Sequence, residues 1–196
     1  LVASVDGEVV FHRSVDAPTA RHVVEYCAER RLHVNAYVGD DVYVASIGPE
    51  AEFTRKLNRL NPIAVANLGE FVSTSAPTKM VVVRLPEVEA GLLPQLQQDF
   101  VGELLIFSSV PQYCEMVNPN VDKGRALANL IGRLGIPREA VAAIGDGDND
   151  LTLLEAAGLP IAMGNATAKL KSVAREIVGS VEEDGVAEAI DRFVIP

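Results

Sequence analysis

The chain has 196 residues, 48% of them hydrophobic, and its 17 basic and 27 acidic residues give a net charge of −10. Such a surface repels nucleic acids and anionic lipids, and no cluster of Lys and Arg reverses its sign, so we expect neither a nucleic-acid nor a membrane partner. Two cysteines and three histidines without metal-ligand spacing exclude a disulfide framework and a cysteine-built zinc site, and without an apolar run near the roughly 20 residues that cross a bilayer we expect a cytoplasmic protein.

Residues 1–120 alternate strand-like runs and helices with irregular polar segments. Two β-rich runs, 1–5 and 8–12, meet at Asp6-Gly7, which is typical of a two-residue hairpin turn. Asp16 is a candidate N-cap of a helix that continues to about Arg31. The other elements expected here are strands over 32–38, 42–47, 80–85, 104–107 and 112–117, helices over 49–60 and within 86–100, and an ambiguous segment over 63–72.

From residue 122 onward, short apolar strands alternate with amphipathic helices. After the candidate N-cap Asp122, apolar residues recur at the spacing of one helix face: Leu127, Leu130, Ile131 and Leu134. Strands are expected over 141–144, 161–163 and 177–178, and helices over 151–157, over 166–173 and from Asp184, the last with Val186, Ile190 and Phe193 directed inward. This alternation predicts a parallel sheet covered by helices on both faces, which is a three-layer α/β core.

The acidic loop over residues 145–150, with the sequence GDGDND, follows a predicted strand and precedes a predicted helix. In an open α/β sheet this position is the carboxyl edge, where ligands bind. Its three carboxylates repel one another unless a cation neutralises them, and Mg²⁺ is the hard divalent cation that fits best. An EF-hand would need Gly at Leu151 and Glu at Ala157, and a dinucleotide fingerprint would need Gly at Asp150. The remaining alternative is a solvated turn that caps the helix.

Lys123 stands at the start of a predicted helix, where the helix dipole disfavours a cation. A lysine beside the N–H groups of a helix end is favourable when an anion such as phosphate binds there. A surface lysine is the alternative for Lys123 taken alone. Together with the acidic loop on the next strand, Lys123 predicts an anion held between a lysine and a metal ion.

Four ordered motifs within residues 112–196 resemble the haloacid dehalogenase superfamily of phosphohydrolases, specifically its Cof-like group with a large cap of the C2B type. The motifs are Val121-Asp122-Lys123-Gly124, the GDxxND form of residues 145–150, Gly164-Asn165-Ala166 and Asp184-Gly185-Val186-Ala187. The resemblance implies a three-layer, Rossmann-like parallel-sheet core and an α+β cap. It assigns residues 1–14 to a core-domain hairpin, 15–116 to the cap that selects the substrate, and 117–196 to the C-terminal half of the core.

The resemblance also implies a magnesium-dependent phosphomonoester hydrolase that acts on a small phosphorylated metabolite through an aspartyl-phosphate. Lys123 would hold the transferring phosphoryl group, and Asn149 would hydrogen-bond the phosphate or the nucleophile. Asp146 would bind Mg²⁺ directly, and Asp150 would ligate the ion or orient its water shell. Sugar phosphates, nucleotides and cofactor phosphates all remain open as substrates.

The sequence departs from the family at the nucleophile. The DxDGT motif and the Thr/Ser-Gly-Arg motif that follows it in the family are absent from the 196 residues. The segment Ser4-Val5-Asp6-Gly7 has Ser at the nucleophile position, and we interpret it as the hairpin turn. Because the chain starts at Leu1, we expect a preceding segment to carry the nucleophile. A non-catalytic phosphate-ligand binding or regulatory module and a phosphotransferase or mutase are the alternatives.

Overall fold

The computed structural model describes residues 2–3, 6, 9–87 and 89–195 and divides the chain into two compact units. We call residues 12–120 the inserted unit, and residues 1–11 with 121–196 the flanking unit. The flanking unit begins with an antiparallel pair, β1 (Val2–Ala3) and β2 (Val9–Phe11). Antiparallel pairing agrees with the predicted hairpin, but Ser4, Val5, Gly7 and Glu8 of that prediction lie outside the described residues, as does Leu1.

The inserted unit contains a mixed six-stranded sheet with helices. Its elements in chain order are α1 (Ala17–Glu29), β3 (His33–Val38), β4 (Asp41–Val44), α2 (Pro49–Asn58), β5 (Ile63–Ala64), α3 (Leu68–Thr74), β6 (Lys79–Val83), α4 (Leu92–Asp99), β7 (Leu105–Phe107) and β8 (Tyr113–Val117). The strand order is β5-β4-β3-β6-β8-β7, and every pair is antiparallel except the parallel pair β4 and β5. The ambiguous segment 63–72 therefore contributes a short edge strand and the start of a helix.

Helix α1 shows why the local sequence folds as predicted. The Asp16 carboxylate accepts the backbone N–H of Thr19 at 3.0 Å, and Pro18 lies in the first turn, where no N–H is needed. Val23 and Cys27 are buried on the inner face of the helix. Burial raises the pKa of the Cys27 thiol to about 12, so the thiol stays protonated and packs as an apolar group.

Both faces of the six-stranded sheet are covered by packed side chains. Helices α1, α3 and α4 cover one face over a core of buried side chains that includes Val34, Met80, Val82, Leu96, Phe100, Cys114 and Met116. On the other face, Val81, Val83 and Tyr113 pack with Phe53 of α2. Since strands alternate their side chains between faces, the unbroken apolar run at residues 80–83 supplies both cores.

The flanking unit continues with α5 (Lys123–Leu134), β9 (Ala142–Gly145), α6 (Leu151–Ala156), β10 (Leu159–Ala162), α7 (Ala168–Lys171), β11 (Glu176–Ile177) and α8 (Gly185–Phe193). Strands β9, β10 and β11 are parallel, with β10 in the centre. Leu154, Ile161, Leu170 and Ala189 are fully buried in the core of this unit. The predicted α/β class with a parallel sheet is confirmed.

In the flanking unit, the predicted bounds of two elements are wrong by two residues. Strand β10 begins at Leu159, because Pro160 needs no N–H there and its carbonyl accepts the N–H of Arg175 at 2.9 Å. Helix α7 is shorter than 166–173, because Thr167 caps it by accepting the N–H of Leu170.

The inward face of α8 also differs from the prediction, which placed the large apolar residues Val186, Ile190 and Phe193 there. Val186 and Ile190 are 48% and 38% exposed, whereas Ala189 is fully buried. The helix therefore packs through small residues, which allow close approach, and Phe193 joins the core at its edge. Among the described residues, no helix combines the length and the apolar character that a membrane crossing requires.

Candidate active site

The acidic loop lies at the carboxyl end of β9, as predicted. Strand β9 ends at Gly145, and a short 3-10 turn, Asp148–Asp150, leads into α6. Gly145 is required here because a Cβ on it would lie 2.5 Å from the Cβ of Asp150. The chain therefore folds back tightly enough to bring Asp150 under the start of its own loop.

Asp150 is the centre of this loop and is only 5% exposed. Its Oδ2 accepts the backbone N–H of Asp146 at 3.1 Å and that of Gly147 at 3.2 Å, and its Oδ1 accepts a hydrogen bond from the Lys123 ammonium. Burial by itself would raise the pKa of the Asp150 carboxyl. The hydrogen bonds from Lys123 and the two N–H groups outweigh burial, and the pKa lies below its ordinary value.

Lys123 reaches the loop because the start of α5 is fixed on α6. The Asp122 carboxylate caps α5 by accepting the N–H of Arg125 at 2.8 Å. The N–H of Gly124 donates to Thr152 Oγ1 at 3.2 Å, and a Cβ on Gly124 would lie 2.1 Å from the carbonyl oxygen of Thr152. Only glycine permits this approach, which holds the Lys123 side chain, itself 50% exposed, beside Asp150.

The other polar side chains of the loop are exposed. Asp146 Oδ2 accepts a hydrogen bond from Asn165 Nδ2 at 3.2 Å, and Asp148 Oδ1 accepts one from the Thr167 hydroxyl at 2.6 Å. Asn149 is exposed and forms no side-chain hydrogen bond with any residue that the structure describes. The loop thus presents two carboxylates, Asp146 and Asp148, and the amide of Asn149 to solvent, next to the buried Asp150.

The structure brings together the predicted site residues Lys123, Asp146 and Asp150 through direct hydrogen bonds and places Asn149 in the same loop. Their chemical roles stay predictions. No sequence pattern indicated a role for Thr152, Asn165 or Thr167, whose side chains hold the loop and α5 in place. Asn165 belongs to the motif Gly164-Asn165-Ala166, and Thr167 has the residue type of an N-cap, but neither pattern indicates which side chain these residues contact.

The donors of the loop can be compared with the needs of a metal ion. Across residues 2–3, 6, 9–87 and 89–195, no three His, Cys, Asp or Glu side chains are grouped to hold an ion. Mg²⁺, however, keeps several water ligands and binds proteins through one or two carboxylates together with substrate phosphate oxygens. The exposed Asp146 carboxylate is a donor of this kind, and the buried Asp150, whose two oxygens accept hydrogen bonds, lies beside it, so the residues present fit Mg²⁺.

These features define the class: an α/β protein with a lysine–carboxylate cluster at the carboxyl edge of a parallel sheet. The family model described as haloacid dehalogenase-like hydrolase matches residues 1–190, and the chain belongs to that family. The resemblance drawn from the four motifs is thereby confirmed.

Relatives of known name show the extent of the similarity. The chain is 27% identical to the 5-amino-6-(5-phospho-D-ribitylamino)uracil phosphatase of Bacillus subtilis over 187 residues, 93% of this chain and 68% of the relative. It is 37% identical to the phosphoglycolate phosphatase of Methanothermobacter thermautotrophicus over 111 residues, 54% of this chain and 50% of the relative. A crystal structure from Thermotoga maritima, 30% identical, has a TM-score of 0.84 over 96% of this chain and 71% of its own. The chain thus spans half to about two thirds of the length of these two curated relatives.

Proposed function

We propose that the protein hydrolyses the phosphomonoester of a small metabolite with the help of Mg²⁺. The observation that carries this proposal is the shared carboxylate of Asp150, which accepts hydrogen bonds from the Lys123 ammonium and from the N–H groups of Asp146 and Gly147. A cation and an acidic loop are thereby held side by side at the edge of the sheet where ligands bind in α/β proteins. Phosphoryl transfer requires this combination, because catalysis consists largely of positioning and of neutralising charge.

Each residue then has a role that suits its surroundings. The half-exposed Lys123 ammonium donates to the oxygens of the phosphoryl group and offsets their charge. Asp150 positions Lys123 and would ligate Mg²⁺ or orient its water shell, and the exposed Asp146 would bind the ion directly. The bound ion supplies further charge neutralisation to the phosphoryl oxygens. The exposed amide of Asn149 donates a hydrogen bond to the phosphate or to the nucleophile.

The covalent step needs a nucleophile, and neither the segment around Lys123 nor the acidic loop is the family's motif for it. An aspartate oxygen would bond to phosphorus as the bond from phosphorus to the ester oxygen breaks, and the ester oxygen would take a proton from a general acid or water and leave as an alcohol. Water would then attack the aspartyl-phosphate, which releases phosphate and restores the carboxylate. The family motif for this aspartate, DxDGT, is absent from the 196 residues. We therefore propose that sequence outside these residues supplies it.

The substrate is proposed as a class. Relatives act on phosphoglycolate and on 5-amino-6-(5-phospho-D-ribitylamino)uracil, which are both small phosphorylated metabolites. We propose that the inserted unit selects the leaving group, as a cap over a phosphate site would. The cytoplasmic location expected from the sequence stays a prediction.

The test measures phosphate release by the product of the complete reading frame from a panel of phosphorylated metabolites, with Mg²⁺ and with EDTA. We expect turnover with Mg²⁺ and none with EDTA. Lys123→Met is expected to reduce kcat/KM by about 10³-fold, since it removes a donor to the developing charge. Lys56→Met, which removes an exposed lysine of the inserted unit, is the matched control and should retain activity.

Two results contradict the proposal. Equal turnover in EDTA would exclude the metal, and full activity of Lys123→Met would exclude the site. Phosphate binding without turnover by a protein that carries the complete nucleophile motif would instead support a non-catalytic binding module. Transfer of the phosphoryl group to a second metabolite, detected by product analysis, would indicate a phosphotransferase or mutase.

A further inference from the structure

Asn165 connects the segments that follow all three strands of the parallel sheet. It lies after β10, its Nδ2 donates to Asp146 Oδ2 in the loop after β9 at 3.2 Å, and its Oδ1 accepts the N–H of Val181, after β11, at 3.0 Å. Both contacts join residues far apart in the chain. A single side chain therefore ties the acidic loop to the turn Val181–Glu183.

The two contacts of Asn165 fix the orientation of its amide. A backbone N–H can only donate, so the atom that faces Val181 must be the amide oxygen. The amide NH₂, which can only donate, is then the group that faces the Asp146 carboxylate. Reversing the amide would lose both hydrogen bonds. The contact with Val181 therefore keeps the NH₂ group of Asn165 facing the Asp146 carboxylate.

The neighbouring contacts separate the role of Asn165 from that of Thr167. The Thr167 N–H donates to the backbone carbonyl of Asp146 at 3.2 Å, and its hydroxyl donates to the Asp148 carboxylate at 2.6 Å. Thr167 thus holds the loop backbone at Asp146 and the side chain of Asp148. Asn165 is the residue that contacts the side chain of Asp146, and it occupies Oδ2. No residue within the part of the chain that the structure describes donates a hydrogen bond to Asp146 Oδ1.

We propose that Asn165 is a positioning residue that holds the Asp146 side chain through Oδ2 and so leaves Oδ1 directed to a divalent cation. This inference rests on the proposed function, which makes Asp146 a metal ligand. A neutral amide suits the task, because it restricts the carboxylate without adding a charge that would compete with the cation. Groups that orient metal ligands in this way commonly change metal affinity by about 10- to 100-fold when they are lost.

The test measures the affinity of the purified protein for Mn²⁺, a spectroscopic substitute for Mg²⁺, by electron paramagnetic resonance, together with thermal unfolding in EDTA. Asn165→Ala is expected to weaken Mn²⁺ binding about 10-fold. Asn58→Ala, which removes an amide that donates to the Tyr37 hydroxyl in the inserted unit, is the control and should bind Mn²⁺ as the wild type does.

A second variant, Val181→Pro, keeps the Asn165 side chain and removes the N–H that orients it. Val181 is 64% exposed and begins a 3-10 turn, and Ser180 before it is extended (φ −71°, ψ 175°), so proline fits the backbone. We expect a smaller loss of Mn²⁺ affinity, about 3-fold, and no further loss when Val181→Pro is added to Asn165→Ala.

The outcomes separate this inference from the proposed function. If the wild type binds Mn²⁺ and Asn165→Ala binds it equally well while unfolding at a lower temperature in EDTA, Asn165 is a loop tie and the inference is overturned alone. Additive losses in the double variant would also overturn it. If the wild type does not bind Mn²⁺ at millimolar concentration, the proposed metal site and this inference both fail.

Discussion

The two units bury polar groups in different ways. In the inserted unit, the buried Asn35 and Thr54 bond to each other, with Asn35 Nδ2 donating to Thr54 Oγ1 at 2.8 Å, and the Tyr113 hydroxyl donates to the same atom at 3.0 Å. In the flanking unit, the buried Asp150 bonds to a lysine that is half exposed. The first network is built from uncharged groups and fixes α2 on its sheet. The second connects the interior to a charge at the surface, where a ligand can reach it.

Apolar packing differs in extent, although each unit encloses large apolar side chains completely. The inserted unit encloses Phe100 and Met80 completely, on a sheet of six strands. The flanking unit has a parallel sheet of three strands, and Leu134 on α5 is 61% exposed. Apolar burial stabilises both units, whereas the polar contacts between strand ends, which determine the shape of the candidate site, belong to the flanking unit. Two substitutions and a change of pH test this difference between the units.

The largest effect is expected for Phe100→Ala in the inserted unit. Phe100 is fully buried, and its ring lies 5.1 Å from that of Tyr26 and 4.9 Å from that of His22. Truncation leaves a cavity, and we expect the free energy of unfolding of this unit to fall by about 3–5 kcal/mol in denaturant titrations followed by circular dichroism. Val101→Ala is the control, since Val101 is 79% exposed and should change little. Equal effects of the two substitutions would contradict the assigned core.

A smaller effect is expected for Asp150→Ala in the flanking unit. The substitution leaves the Lys123 ammonium and the N–H groups of Asp146 and Gly147 without their acceptor. We expect the free energy of unfolding to fall by about 2–3 kcal/mol in the same titration. Asp148→Ala removes an exposed carboxylate of the same loop, whose partner is Thr167, and should cost less than about 1 kcal/mol. If both variants lose the same stability, Asp150 is not the centre of the loop.

The change in stability when Asp150 is protonated at low pH is expected to be smaller than the loss in Asp150→Ala, because protonation removes the charge but keeps the side chain. The pKa of Asp150 is lowered: burial opposes this, but the bonds from Lys123 and the backbone prevail. A carboxyl with a lowered folded-state pKa stabilises the protein above its unfolded value of about 3.9, and this stabilisation is lost as pH falls through the folded-state pKa. The wild type should therefore lose its advantage over Asp150→Asn below about pH 4. An advantage that grows on acidification would reverse the assigned sign.

Local signals in the sequence were sufficient for much of the fold and for the centre of the site. The Asp16 cap and the strand–loop–helix order around residues 145–150 depend on neighbours in the chain, and both are confirmed. Lys123 lies beside the loop, as the predicted pairing of a lysine with the acidic loop around one anion requires. Four motifs were sufficient for the family.

The rest depends on contacts that no local pattern encodes. Asn165 and Asp146 are 19 positions apart, as are Thr167 and Asp148, and each pair meets only because β9 and β10 are adjacent. The inward face of α8 was wrong for a related reason. Hydrophobicity favoured Val186, but the residues that the helix buries are the small ones, Gly185 and Ala189.

The glycine at position 124 has a consequence for engineering. Its N–H donates to Thr152, and the absence of a side chain lets the first turn of α5 contact Thr152 closely. The helix that carries Lys123 is therefore packed directly on the helix that follows the acidic loop. Transplanting GDGDND alone into another parallel sheet would deliver carboxylates without their ammonium counterpart. A functional graft must carry both segments, together with the tight helix crossing that joins them.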